Sequence, residues 1–221
     1  VDQIHKNSYK NEISFKSKGK LIITKNNLNR LIDALIRYDR INSPKKFINK
    51  DGTIKYIYQR KKNEASKTVQ ELEQIINNPP DKQRYINFIK KAFLILFTNG
   101  INVQINDIQE IDIAALWIYK EKTIVIDKES LKRGLKDFAN LISHEMIHIS
   151  QSCKGGGLDF YPVLLNLKTN RTNNFYSEEL ENKIYKNLNE NQLKLEIEAY
   201  SNQTNLLQTL RLFKYFCLKK I

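Results

Sequence analysis

The chain of 221 residues has 37 Lys and Arg against 24 Asp and Glu, which gives a formal net charge of +13, and 41% of its residues are hydrophobic. This hydrophobic share is typical of a globular protein and excludes an intrinsically disordered chain. No apolar run approaches the roughly 20 residues of a membrane-spanning helix, so no membrane span is expected.

The positive charge raises the question of a nucleic-acid partner. The lysines are scattered along the whole chain and are not interleaved with aromatic residues in a recognition motif. The densest basic run, Gln59-Arg60-Lys61-Lys62, fits a solvated loop. We therefore do not expect nucleic acid to be a partner.

The two cysteines, Cys153 and Cys217, are too few for a disulfide framework. Cys153 is expected to be a buried, inert thiol, and a cytoplasmic location is expected with it. No signal peptide is visible, although the chain starts at Val1 rather than at a methionine, which leaves room for an upstream segment.

The residue pattern of the first 76 positions predicts helices and a hairpin. Residues 1–20 are polar and lack a regular period, whereas apolar residues recur at helical spacing over Asn27–Arg40. A hairpin is expected within Phe47–Gln59, because Asp51-Gly52 favours the left-handed backbone angles of a tight turn. A second helix is expected over Ala65–Ile76.

The run Asn77-Asn78-Pro79-Pro80 stops this second helix, because proline cannot continue the helical hydrogen-bond ladder. The proline pair is also the predicted domain boundary. It divides the chain into an N-terminal accessory region of helices and a hairpin, residues 1–80, and a main domain, residues 81–221.

The main domain is predicted to begin with a helix and a small sheet. Asp81 is expected to cap a central helix that is apolar nearly all round and ends near Thr98. Three β-rich runs follow, at Ile101–Ile105, Ile111–Tyr119 and Thr123–Asp127. The short polar turn Lys120-Glu121-Lys122 joins the last two runs.

A further long helix is predicted from Leu131 onward, because apolar residues recur there at helical spacing. Asp127 and Ser130 are both candidates for its N-cap, and Gly155-Gly156-Gly157 ends it. This helix carries the most informative pattern in the chain.

That pattern is His144-Glu145-Met146-Ile147-His148. Residues i and i+4 lie on one face of a helix, so the two imidazoles can bind one zinc ion with Glu145 beside a metal-bound water. The alternative is a chance pair of histidines at a helix edge. Zinc is favoured, because two of the three histidines in the chain have this spacing.

A third zinc ligand has to come from elsewhere in the chain. The remaining histidine, His5, is far upstream in a polar stretch. The extended metzincin pattern fails, because Lys154 stands in place of its third histidine and Gln151 in place of its glycine. The single methionine, Met146, lies inside the motif, so no Met-turn can follow. A carboxylate is therefore expected.

Glu196 is the predicted carboxylate ligand. On a helix expected over about Gln192–Lys214, Glu196 projects within an apolar arc, whereas Glu198 projects to the opposite side and is expected to be solvated. The arc consists of Leu193, Ile197, Tyr200, Leu207 and Leu210. A buried carboxylate is costly unless it is paired or bound to a metal. Two alternatives stay open: Glu198 is the ligand, or Glu196 is paired with Arg, Lys or a Tyr hydroxyl.

The HExxH pattern followed by Glu196-x-x-Ala199 resembles the gluzincin branch of the zincin metallopeptidases, over roughly Ile101–Gln208. The resemblance implies an α+β, zincin-like fold, with a small mixed or antiparallel sheet packed on helices and one zinc ion bound by the two histidines and Glu196. It makes residues 81–221 the catalytic domain. Many relatives carry an aspartate four residues after the ligand glutamate to orient a histidine, and here Tyr200 occupies that place.

The activity that the resemblance implies is hydrolysis of a peptide or protein substrate. Glu145 would be the general base, and the oxyanion would be stabilised by Tyr161, Tyr176 or Tyr200. The strand containing Ala114–Trp117 would lie by the cleft, where an edge strand can pair with an extended peptide. A purely structural role for Trp117 in the core is equally compatible with the sequence.

Further expectations concern the site's surroundings and the function. The segment Lys154–Asn189 would form a lower wall or a lid of the cleft. Gln151 and Gln203 are each either a hydrogen-bond partner of a ligand or an ordinary helix-edge amide. Two other functions stay open: a catalytically inactive zincin-fold binding protein, and a regulatory peptidase whose basic N-terminal region docks on nucleic acid. The sequence does not indicate an oligomeric state.

Overall fold

The computed structural model describes residues 20–59, 65–107, 113–169 and 188–218. The fold is α+β, as predicted, with a mixed four-stranded sheet packed against helices. The helices are α1 (Leu28–Asn42), α2 (Val69–Asn77), α3 (Lys82–Thr98), α4 (Leu135–Gly155), α5 (Glu190–Asn202) and α6 (Leu206–Cys217). The strands are β1 (Leu21–Ile23), β2 (Lys45–Ile48), β3 (Ile54–Ile57), β4 (Asn102–Asn106), β5 (Ala115–Ile118) and β6 (Thr123–Asp127).

The main sheet has the strand order β1-β4-β6-β5. β4 and β6 are parallel, with Val103 opposite Ile124, whereas β1 and β5 pair antiparallel with β4 and β6 respectively. β5 therefore ends the strand order in the described part of the chain. β2 and β3 form a separate hairpin, and Gly52 has the positive φ of 81° that its turn requires, which confirms the predicted hairpin.

One apolar core joins the main sheet to α1, α3, α4 and α6. Phe93 of α3 stacks on Phe138 of α4 with ring centroids 6.4 Å apart, and Leu35 of α1 belongs to the same cluster. Strand β1 and helix α1 thus share the sheet and the core with the later elements. The division of the chain at Pro79-Pro80 stays a prediction.

The start of α3 agrees with the sequence, since Asp81 caps it, but the start of α4 does not. Asp127 caps a short 3-10 helix, Lys128–Arg133, and Ser130 donates a hydrogen bond to the backbone of an earlier loop instead of capping. Both predicted N-caps of the long helix are therefore wrong. α4 begins at Leu135, after this separate 3-10 helix.

The single helix predicted over Gln192–Lys214 is two helices, α5 and α6, and Asn205 caps the second. The predicted apolar arc is also wrong. Leu207 is 66% exposed, whereas Leu195 and Ala199 are buried. A helix break changes the rotation of every later residue about the axis, so periodicity carried across it assigns the wrong face.

Cys153 and Cys217 form a disulfide bond between the end of α4 and the end of α6. The predicted free thiol at Cys153 is therefore wrong. The two residues are 64 positions apart, and their Cα atoms come within 5.1 Å only because α4 packs against α6. Disulfides persist in oxidising compartments, so this bond removes the reason for the cytoplasmic prediction. Among the described residues, no helix combines the length and apolar character needed to cross a bilayer.

Candidate metal centre

The HExxH pattern lies in the middle of α4, where the helix is buried on nearly all sides. His144, Glu145 and His148 expose only 6%, 2% and 8% of their surface. Helices α3, α5 and α6 and strand β5 all pack against α4. Polar side chains buried this deeply are costly unless they have partners or a ligand, so their contacts indicate what the site can do.

Three side chains converge at this point. His144 Nε2 and His148 Nε2, one helical turn apart, are separated by 3.0 Å. Glu196 of α5 places one carboxylate oxygen 3.2 Å from His144 Nε2 and the other 3.4 Å from His148 Nε2. Ligand atoms of a tetrahedral zinc ion, with bonds of about 2.0–2.1 Å, are about 3.3–3.4 Å apart. The three residues could therefore hold a metal ion.

The charges in the site favour a cation. Burial lowers the pKa of His148, but the charge and hydrogen bond of Glu196, with smaller contributions from Glu145 and Gln151, outweigh burial and raise that pKa to about 9. Burial likewise raises the pKa of Glu196, but the two imidazoles outweigh it and hold that pKa well below its usual value. The Glu196 carboxylate is thus a negative charge that is stable only beside positive charge.

Glu145 lies beside the triad, and one of its two carboxylate oxygens accepts a hydrogen bond. The backbone N–H of Trp117 donates a hydrogen bond to its carboxylate. The other oxygen, Oε2, is buried and has no hydrogen-bond partner among the described residues. Burial raises the pKa of this carboxyl group, more than the neighbouring histidines lower it. A buried carboxyl group beside three residues that could hold a metal ion is in a position to accept a proton.

Gln151 is a hydrogen-bond partner of His148, one of the three residues that could hold a metal ion. Its Oε1 lies 2.8 Å from Nδ1 of His148, and its Nε2 lies 2.9 Å from Oε2 of Glu198. Glu198 is only 1% exposed, so the prediction that it is the solvated neighbour is wrong. It is held by the backbone N–H groups of Leu165 and Leu167.

The sequence contains a signal that could have placed Glu198 correctly. Leu195, Glu198 and Ala199 stand at the i, i+3 and i+4 positions of one helix face, and these three are the buried residues of α5. Glu196, at 24% side-chain exposure, lies at the edge of that face rather than at its centre. The predicted arc instead followed Leu193, Ile197 and Tyr200 of the same helix, which are only partly buried.

The predicted oxyanion donors lie in different places. The ring of Tyr200 packs on the ring of His144, with 4.5 Å between the ring centroids. His144 Nδ1 has no hydrogen-bond partner among the described residues. Tyr161 is half exposed and packs on Tyr119, and Tyr176 lies outside the described residues.

Both interpretations of Trp117 apply. Its side chain is only 6% exposed and donates a hydrogen bond from the indole nitrogen to Ser152 of α4, at 3.0 Å. Its strand, β5, also lies beside the site, because its backbone contacts Glu145. Residues 161–169 of the predicted wall run against α4 and α5, where Val163 donates to the backbone carbonyl of Gln151, whereas residues 170–187 lie outside the described part. Gln203 is the C-cap residue of α5.

Comparison of the chain with protein-family models, with curated proteins and with solved structures gives no match. The function therefore has to be inferred from the geometry of the site. That geometry is a buried His-His-Glu triad on two packed helices, consistent with a zincin-like metal site.

Proposed function

We propose that the protein is a zinc-dependent metallopeptidase of the gluzincin type, with His144, His148 and Glu196 as zinc ligands. The observation that carries the proposal is the convergence of the two imidazoles and the carboxylate beside Glu145, whose buried Oε2 lacks a partner among the described residues. Two nitrogen ligands and one oxygen ligand, with a fourth position open, are the donor set of catalytic rather than structural zinc.

The chain's own residues supply the acid–base chemistry. Zinc, when bound, would polarise the scissile carbonyl and make a water molecule more acidic. Glu145 accepts a proton from the attacking water as the carbon–oxygen bond forms, and returns that proton to the amine as the carbon–nitrogen bond breaks. The N–H of Trp117 fixes one oxygen of Glu145 and leaves Oε2 to carry the proton. The raised pKa makes Glu145 a better base near neutral pH than a solvated glutamate.

A donor for the oxyanion would complete the reaction. Tyr161, Tyr176 and Tyr200 stay the candidates, and the contact of Tyr200 with His144 supports it over Tyr161. Substrate would be a peptide or a protein, which the edge of β5 beside Glu145 could meet as an extended strand.

The test combines elemental analysis with hydrolysis of a library of quenched fluorogenic peptides. We expect wild type to contain one zinc ion per chain and to cleave. We expect Glu145→Gln to keep zinc and lose cleavage, because the amide cannot accept the proton. His148→Ala and Glu196→Ala should lose both. Glu129→Gln, which alters an exposed surface carboxylate paired with Lys132, is the matched control and should behave like wild type.

Two outcomes would contradict the proposal at different points. Cleavage by the Glu145→Gln variant would remove Glu145 as the base. A wild-type protein that binds zinc stoichiometrically and cleaves no peptide would refute the peptidase, and would favour a zincin-fold protein that serves as a binding partner.

A further inference from the structure

We propose that Gln151 and Glu198 are positioning residues for His148. Glu198 fixes the orientation of the Gln151 amide, and the amide fixes which nitrogen of His148 is free to bind the metal. This inference rests on the proposed function, because it takes His148 to be a metal ligand.

The orientation of the amide follows from what it faces. Gln151 Nε2 lies 2.9 Å from Glu198 Oε2 and 3.3 Å from the backbone carbonyl of Leu195. A carboxylate and a carbonyl can only accept hydrogen bonds. The NH2 group has to face both of them, so the amide oxygen has to face His148.

Glu198 is itself held in one orientation. It is 1% exposed; its Oε2 accepts the backbone N–H of Leu165 at 2.8 Å, and its Oε1 accepts that of Leu167 at 2.8 Å. Together with the Gln151 amide, N–H donors face both oxygens of this carboxylate. A flipped Gln151 amide would place its carbonyl oxygen against Glu198 Oε2 and the Leu195 carbonyl, so that acceptors would face acceptors.

The orientation of the Gln151 amide determines which ring nitrogen of His148 carries the proton. Gln151 Oε1 lies 2.8 Å from His148 Nδ1, and because the amide oxygen only accepts, Nδ1 carries the proton. The lone pair of the neutral imidazole is then on Nε2, the atom that approaches His144 and Glu196. A hydrogen-bond acceptor behind a histidine orients the ring and makes it a better ligand.

The two histidines differ in this respect. His144 Nδ1 has no hydrogen-bond partner in the part of the chain that the structure describes, whereas His148 Nδ1 has a buried one. The series Glu198–Gln151–His148 also joins the site to residues 165–167, which hold the carboxylate through their backbone. It is therefore a specific arrangement at one ligand rather than a general feature of the helix.

The experiment measures the affinity for Zn²⁺ by competition with a chelator in a double-mutant cycle. Gln151→Met keeps the length and removes the hydrogen bonds, and should weaken zinc binding about 10–100-fold. Glu198→Gln should weaken it about 10-fold. If Glu198 acts through Gln151, the double variant binds zinc within about 3-fold of Gln151→Met alone. Gln203→Met is the matched control and should bind like wild type.

Thermal unfolding of the metal-free proteins separates positioning from a merely structural role. A structural role for Glu198 would lower the melting temperature of Glu198→Gln and leave zinc affinity unchanged; that result overturns the proposal. The proposal would also be overturned if the losses of zinc affinity in the two single variants multiplied in the double variant, because Glu198 would then act independently of Gln151. Should Gln151→Met not fold, Gln151→Asn takes its place, because the shorter amide cannot reach both His148 and Glu198.

Peptide cleavage is not used in this experiment, so the two proposals can fail separately. Zinc binding that follows the expected cycle in a protein without peptidase activity refutes the peptidase and supports the positioning roles. If wild type cleaves peptides and the variants bind zinc as tightly as wild type, only the positioning roles are refuted. A wild type that binds no zinc refutes both.

Discussion

Glu196 and Glu198 lie two residues apart on α5 and have different partners. Successive residues of a helix are rotated by about 100°, so these two side chains point to different sides of α5. Glu196 faces the imidazoles of His144 and His148, whereas Glu198 accepts hydrogen bonds from neutral N–H groups. Neither carboxylate is left without a partner, which is the condition for burying either of them.

At the residue scale, the pairing of His148 with Glu196 makes the stability of the metal-free protein depend on pH. Burial lowers the pKa of His148, but Glu196 and its neighbours raise it from its usual 6.5 to about 9. A raised pKa gives stability that is fully present below 6.5 and is lost as the pH rises through about 9. We expect the free energy of unfolding in chelator to fall by about 3 kcal/mol between pH 6 and pH 10.

The matched variant for this measurement is Glu196→Gln, which keeps the shape and removes the charge. Its urea denaturation midpoint should change much less over the same range, because His148 no longer gains from a charged partner. The lowered pKa of Glu196 acts in the opposite direction. The stability that Glu196 contributes is fully present above pH 4.5 and is lost as the pH falls. Parallel curves for wild type and variant would contradict this account.

At the scale of elements, the first turn of α4 depends on a residue from another helix. Asp39 of α1 accepts the backbone N–H of Leu135 at 3.1 Å, so it serves as the cap that α4 lacks in its own sequence. Gly134 directly precedes Leu135 and has a positive φ of 85°. A Cβ at Gly134 would collide with the Asp39 carboxylate. Glycine is needed there for both reasons, because only glycine adopts this backbone and leaves the space.

We expect Asp39→Ala to lower the free energy of unfolding by about 1 kcal/mol, because the first backbone N–H groups of α4 lose a partner. Chemical denaturation measures the change. Asp33→Ala is the control, since Asp33 is an exposed residue of the same helix, and it should change stability by less than about 0.5 kcal/mol. Equal effects of the two substitutions would show that Asp39 does not act as a cap.

At the scale of the whole molecule, the site is assembled from distant parts of the chain. α4 supplies the histidines, α5 supplies Glu196 and Glu198, and β5 supplies the backbone donor to Glu145. The disulfide joins the end of α4 to α6, which packs along it. The relative placement of these helices therefore decides whether the ligand atoms converge.

We expect the disulfide to stabilise this arrangement. Closing a loop with a sequence separation of 64 corresponds to about 4 kcal/mol in the chain-entropy treatment, and measured values are commonly 2–4 kcal/mol. Adding a reductant should lower the denaturation midpoint of wild type by a corresponding amount. The double variant Cys153→Ser with Cys217→Ser should not respond to reductant. Two titratable thiols in the native, non-reduced protein would contradict the bond.

The sequence by itself determined the elements that depend on local interactions. The helical spacing that pairs His144 with His148, the turn at Gly52 and the cap at Asp81 all involve residues within a few positions of one another, so their physics is readable from the order of residues. The triad with Glu196 was also predicted, although the apolar arc used to support it was wrong. The pairing of the two histidines, the turn and the cap are thus all short-range features, whereas the triad also depends on how α4 and α5 pack.

Only the tertiary structure decided the features that join distant residues. The capping of α4 by Asp39, the bond between Cys153 and Cys217, and the burial of Glu198 against the backbone of residues 165–167 depend on how helices pack. Packing follows from the burial of apolar faces over the whole chain, and a helix break that the sequence pattern did not show shifted the expected face of α6. The partners of a buried polar group are therefore set by the fold rather than by its neighbours in sequence.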